Sequence, residues 1–238
     1  MPDPHNMGEA HDFSNAVVAR AYNKRLVPID EGEYAIMVDI DIFDEEVFKR
    51  NNGYSISYTS PMKLVKDPNT AYEAEILINP RNFDPVPFRE LLVDDELEAN
   101  FAIAELKQKA AESIPIILVK WVGQAALSGA IWDVLKKLAR KAAIIAVSED
   151  KTRNQASKIQ MLFKMKIDGR NVDGVFSIDS DRADMLADEE ISLNKVRTFA
   201  REKSKGSVIS KIAVTVNDDA NDFRLLYIVD SEGNTITL

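Results

Sequence analysis

Cysteine is absent from this 238-residue chain, and histidine occurs only twice, as His5 and His11. The first absence excludes disulfides, thiolate zinc centres, iron–sulfur ligation and cysteine nucleophiles, and it suits a reducing compartment. The second leaves no H-E-x-x-H pair and confines any histidine-based triad to the poorly patterned N-terminus, where a mobile tail is expected. No G-x-x-x-x-G-K-[ST], G-x-G-x-x-G or G-x-S-x-G occurs, and the nine glycines fall mostly at turns. The N-terminus also lacks a cationic stretch leading into an apolar core, so no signal peptide is expected and the expected location is cytoplasmic. From these absences neither a cofactor nor a bound metal is expected.

What is present is ordinary globular composition, with 45% hydrophobic and 29% charged residues and a net charge of −9. The charge is unevenly placed. Residues 28–100 carry 17 acidic against 6 basic side chains, whereas residues 132–167 carry 9 basic against 3 acidic. Opposed blocks of this kind set how copies or partners of a chain dock.

Periodicity predicts a short helix over residues 13–26 and then strands. Ile36, Val38, Ile40 and Ile42 alternate with Met37, Asp39, Asp41 and Phe43, the pattern of a half-buried strand. Two more strands are expected at residues 54–59 and 71–78. Residues 79–87 hold the densest proline cluster, read as a strand-to-helix crossing. Beyond it the pattern predicts a helix over residues 88–113 and another starting at Pro115, with Ile131, Val134, Leu135, Leu138 and Ala142 on one stripe and Lys136, Lys137 and Arg140 opposite. The last third reads as ββαβββ. Residues 158–167 and 172–178 pair through an Asp168-Gly169 turn, a helix spans 181–203 up to Gly206, and strands at 208–216, 223–229 and 235–238 follow. Asp184, Asp188, Glu189 and Glu190 at the start of that helix, and Arg197, Arg201 and Lys203 at its end, complement the helix dipole. The expected fold class is therefore α+β, with mostly antiparallel sheets on a central helical hairpin and a C-terminal ββαβββ unit. The expected segments are 1–87, 88–145 and 146–238, with one continuous domain as the alternative.

Residues 114–132 combine a long apolar run with small residues. As a buried or interface helix, the segment would use Gly123, Ala126, Gly129 and Ala130 for close approach, with Trp121 and Trp132 beside them. Gly129→Leu would then overpack the contact. As a bilayer-spanning helix, it would carry the cost of Lys120 and Gln124 inside the span. The cations Lys136, Lys137, Arg140 and Lys141 form a basic patch, but the acidic total and the amphipathic spacing argue against a nucleic-acid partner.

Asp39-Ile40-Asp41, at the end of an apolar strand, resembles the first motif of haloacid-dehalogenase-like phosphatases over these few residues. That resemblance implies a carboxylate nucleophile, a proton-handling neighbour and a divalent metal. Phe43 stands where that motif carries threonine or valine, and the alternation marks a strand wet on one face, so the two acids read as surface groups. Residues 179–190 have the acidic look of a calcium loop but place Asp184 where glycine is required, and Asp179, Ser180 or Asp181 reads instead as an N-cap.

The expected function is a non-catalytic protein-interaction or regulatory module, an immunity-type or defence-accessory protein, acting on a protein partner or on itself. The alternatives are a membrane-acting effector using residues 114–132 and a metal-dependent phosphohydrolase using Asp39 and Asp41.

Overall fold

The computed structural model describes residues 5–7, 19–30, 33–42, 57–108, 114–123, 127–187, 191–204, 206–217 and 223–236. The fold is α+β. One three-stranded antiparallel sheet comprises β1 (His5–Met7), β2 (Ala19–Asp30) and β3 (Glu33–Ile42). A second sheet has nine strands: β4 (Ser57–Val65), β5 (Ala74–Ile78), β6 (Phe101–Gln108), β7 (Ile116–Trp121), β8 (Lys158–Ile167), β9 (Arg170–Asp179), β10 (Ile209–Val216), β11 (Phe223–Asp230) and β12 (Thr235–Ile236). Their spatial order is β12-β11-β10-β9-β8-β7-β5-β6-β4.

Parallel neighbours cannot be joined by a tight turn, so each parallel pair of this sheet takes a helical crossover. The β5–β6 pair is bridged by α1 (Pro85–Glu90) and a 3-10 turn, η1 (Leu91–Val93). The β7–β8 pair is bridged by α2 (Gly129–Arg153), and the β9–β10 pair by η2 (Ser180–Ala187) and α3 (Leu193–Ser204). The proline cluster is the β5-to-α1 crossing. Asp84 caps α1 by accepting from the Val86 amide, and Pro85 occupies the first helical position.

The C-terminal ββαβββ order is as the patterning predicts, with a break inside its helical connection between η2 and α3. Asp168 and Gly169 adopt φ of 50° and 80°, the left-handed pair that a two-residue hairpin turn requires. Directly across β8 and β9, Phe163 faces Gly174. A Cβ on Gly174 would lie 2.2 Å from the Phe163 ring, which is itself held edge-on by Trp132 at 5.1 Å between centroids. Gly174→Ala should therefore cost about 1–3 kcal/mol by overpacking, read as a lower urea midpoint.

Several expected helices are strands instead. Within residues 13–26, the described part from Ala19 onward belongs to β2, and His5 lies on β1 opposite Ala21 rather than in an unpaired tail. His11 lies outside the described residues. The helix expected over 88–113 resolves into the end of α1, η1 and strand β6. The one expected from Pro115 resolves into strand β7, and only from Gly129 does the chain turn helical. Residues 114–132 are thus not one helix. Among the described residues no helix is long and apolar enough to cross a membrane.

The main core lies between one face of the nine-stranded sheet and the helical layer. It joins Ile117, Val119, Met161 and Phe176 of the strands to Phe88, Trp132, Leu135 and Val196 of the helices. A register irregularity in the β10–β11 pair, between Ala213 and Val214, breaks the alternation of β11. Phe223 and Leu225 join the main core, while Tyr227 and Val229 join a cluster on the opposite face.

Candidate interaction site

Helix α2 organises the exposed side of the helical layer. Ser128 starts it by accepting the Ile131 amide through its hydroxyl (3.3 Å), and Asn154, at φ 53°, ends it in the left-handed conformation. Its inner stripe is mostly alanine below Leu138, with Ala139, Ala142, Ala143 and Ala146 all at 0% exposure, so the helix sits close on β7 and β8. Its outer side carries Lys137, Arg140, Lys141 and Ile144, the last 58% exposed.

The cations of the expected basic patch are tied down by oxygen partners. Lys136 meets Asp133 at 3.2 Å, and Lys137 donates to the Glu96 carbonyl. Lys141 bridges Glu96 (2.5 Å) and Asp94 (2.9 Å), and these hydrogen bonds hold its ammonium above the usual lysine value. Asp94 is correspondingly held below the usual carboxylate value, first by Lys141 and then by the Glu96 amide. Arg140 pairs with Asp184 at 3.1 Å. The patch is therefore interleaved with acids from the loop after η1 and from η2, which compensate its field.

Between α2 and η2 runs an open groove of ≈ 250 Å³. It is lined by the apolar Ala143, Ile144, Val147 and Ala183 and by Arg140, Asp181 and Asp184, with Arg140 and Asp184 paired between α2 and η2. The position of the η2 wall is set from beneath by a buried polar knot. The Asp150 carboxylate accepts from the Ser157 hydroxyl (2.5 Å), the Ser157 amide (3.0 Å), the Arg153 guanidinium (2.6 Å) and the Ser180 hydroxyl. Ser180, the first residue of η2, anchors it by donating its hydroxyl hydrogen to Asp150 and accepting the Ser157 amide.

The other expected site residues are dispersed. Trp121 ends β7 and Trp132 sits in the core at 1% exposure, with its indole N–H donating to the Ile191 carbonyl at 2.8 Å. Gly123 is small because of Trp121, whose ring would lie 2.6 Å from an added Cβ. Gly129 faces open space and Ala130 is exposed, so neither mediates a close helix contact, and Ala126 lies outside the described residues. Gly129→Leu should accordingly change stability by no more than about 0.5 kcal/mol, not overpack, as thermal melting would show. Asp39 and Asp41 lie on β3, opposite Tyr22 and Arg20 in register. Among the described residues no cluster of three or more histidine, cysteine or carboxylate side chains could hold a metal.

The groove and the knot beneath it were missed by sequence reading. The α2 and η2 sides of the groove are separated by more than thirty residues along the chain, as Asp150 is by 30 from Ser180, and only the Asp181–Asp184 acids showed as a cluster. No family model matches the chain, and no characterised protein or solved structure matches it either.

Proposed function

We propose that the protein is a non-catalytic module that associates with a second copy of itself through the α2–η2 face. The observation that carries this reading is the self-complementarity of the groove. The exposed apolar side chain of Ile144 lies among the apolar lining of the groove, and the Arg140–Asp184 pair, with Asp181 beside it, supplies both signs of charge from the same patch. A twofold contact requires one patch to supply both halves of every interaction. With two α2 helices crossed antiparallel, Ile144 of each copy packs into the other's groove, and Arg140 of each exchanges its own Asp184 for the other's.

Sedimentation equilibrium across a concentration series tests the reading. The wild-type chain should dimerise, and Ile144→Asp should weaken the dimer by about 2 kcal/mol or more, as an interface anchor would. Arg140→Glu and Asp184→Arg should each be monomeric alone, because each places like charges together at both ends of the contact. Mixed in equal amounts they should form a heterodimer, because every pair is then opposite in sign. A wild-type chain that stays monomeric at every concentration, or an Ile144→Asp chain that dimerises undiminished, would overturn the proposal.

A further inference from the structure

The buried apolar side chains of the helical layer all belong to the core on one face of the nine-stranded sheet. The other face is also buried. Leu77 and Leu118 form one apolar cluster there, Val175, Ala213 and Tyr227 form another, and Leu162 packs against both. Tyr227 and Ala213 retain 0% exposure, as does Gln160 on the same face of β8. A side chain on an uncovered sheet keeps its outward end in water, so a second layer lies over this zone, and among the described residues no helix supplies it. The zone has an edge, because Lys120, Lys164, Lys166 and Asp173 point from the same face and are exposed. Lys211 lies over the Tyr227 ring at 5.3 Å, and burial pushes its ammonium below the usual lysine value against the opposing pull of Asp173.

We propose that strands β2 (Ala19–Asp30) and β3 (Glu33–Ile42) of this same chain form that layer and close a sheet-on-sheet sandwich. Two observations select this occupant. Strand geometry places positions 36, 38, 40 and 42 of β3 on one side, and all four are β-branched apolar residues. A three-stranded sheet cannot bury such a strip alone, and a facing sheet is its ordinary partner. Charge selects it too. Residues 1–56 carry eleven acidic against five basic side chains, while Lys120, Lys164 and Lys166 line the edge of the covered zone.

The absence of cysteine gives a clean background for the test. Val175→Cys reports on the covered face, and Val93→Cys, at a side chain 79% exposed and away from the α2–η2 groove, is the control. In the full chain, Val175→Cys should react with a maleimide far more slowly than Val93→Cys. Adding Val38→Asp and Ile40→Asp should speed the reaction at position 175 about tenfold or more without changing that at position 93. In the unsubstituted chain, carbodiimide should join acids of residues 1–56 to Lys120, Lys164 or Lys166, with the Lys141–Glu96 pair as internal standard. Protection at position 175 that ignores the two aspartates, together with the absence of those crosslinks while the standard forms, would overturn the proposal. Protection that grows with protein concentration would assign the cover to a second copy and overturn it equally.

Discussion

Trp132→Ala should lower the unfolding free energy by about 3–5 kcal/mol, the range for removing a large buried aromatic side chain. Trp132 is 1% exposed and packs edge-on to Phe163 and Phe176, with ring centroids at 5.1 and 5.8 Å. Its indole N–H also satisfies the Ile191 carbonyl, so one side chain fixes α2 to β8, to β9 and to the segment leading into α3. Trp132→Phe keeps most of the packing but leaves that carbonyl unpaired, at a cost of about 1–3 kcal/mol. Urea unfolding followed by circular dichroism measures both. The ordering is diagnostic, since an alanine variant no less stable than the phenylalanine one would show that the cavity does not matter.

The parts of the fold legible in the sequence are those where burial is one-sided. In β8, Ile159, Met161, Phe163, Met165 and Ile167 face the helical layer, while Lys164 and Lys166 remain exposed, so alternation is visible. Strand β7 is different. Ile116, Ile117, Leu118 and Val119 are buried on both faces of a central strand, and a continuous apolar run carries no period by which to separate strand from helix. Joined in sequence to the small-residue stretch before α2, it reads as one long helix. Strand β6 misleads for another reason: its alanine, leucine, glutamate and lysine content favours helix, but pairing with β4 and β5 on both sides overrides local preference.

The site was legible only in outline. Lys136, expected on the outer side of α2, is buried at 9% exposure; Lys137 and Arg140 do lie on that side as the amphipathic spacing predicts, together with Lys141. Their partners Glu96, Asp94 and Asp184 are more than forty residues distant, and no local pattern announces them. The groove likewise exists only because η2 is folded back onto α2, and the residue that holds it there, Asp150, looks in sequence like one more charge at a helix end.

Asp150 therefore carries the second large effect. Its side chain is 9% exposed and joins the end of α2 to Ser157, which precedes β8, and to Ser180, the first residue of η2. Arg153, which shares it, also donates to the Asn82 carbonyl and lies over the Phe83 ring at 5.0 Å, tying in the β5-to-α1 crossing. Burial pushes the Asp150 carboxyl up, but the hydrogen bonds from Ser157, Ser180 and Arg153 together outweigh it and hold the group below the usual aspartate value. A carboxylate depressed in the folded state stabilises the fold fully above its unfolded value of about 3.9, and that contribution is lost as the pH falls through the folded value. Asp150→Asn should cost about 2–4 kcal/mol at neutral pH, toward the lower side for a broken buried pair because Arg153 remains 25% exposed. In urea titrations the gap between wild type and variant should be widest at neutral pH and should narrow on acidification below pH 4 or so. A gap that stayed constant with pH would mean that the charge of Asp150 does not stabilise the knot. Because Ser180 is the first residue of η2, the same substitution should also loosen the acidic wall of the groove. Dimerisation at neutral pH should then weaken while the chain is still folded, which separates the role of the knot in positioning the interface from its role in holding the fold.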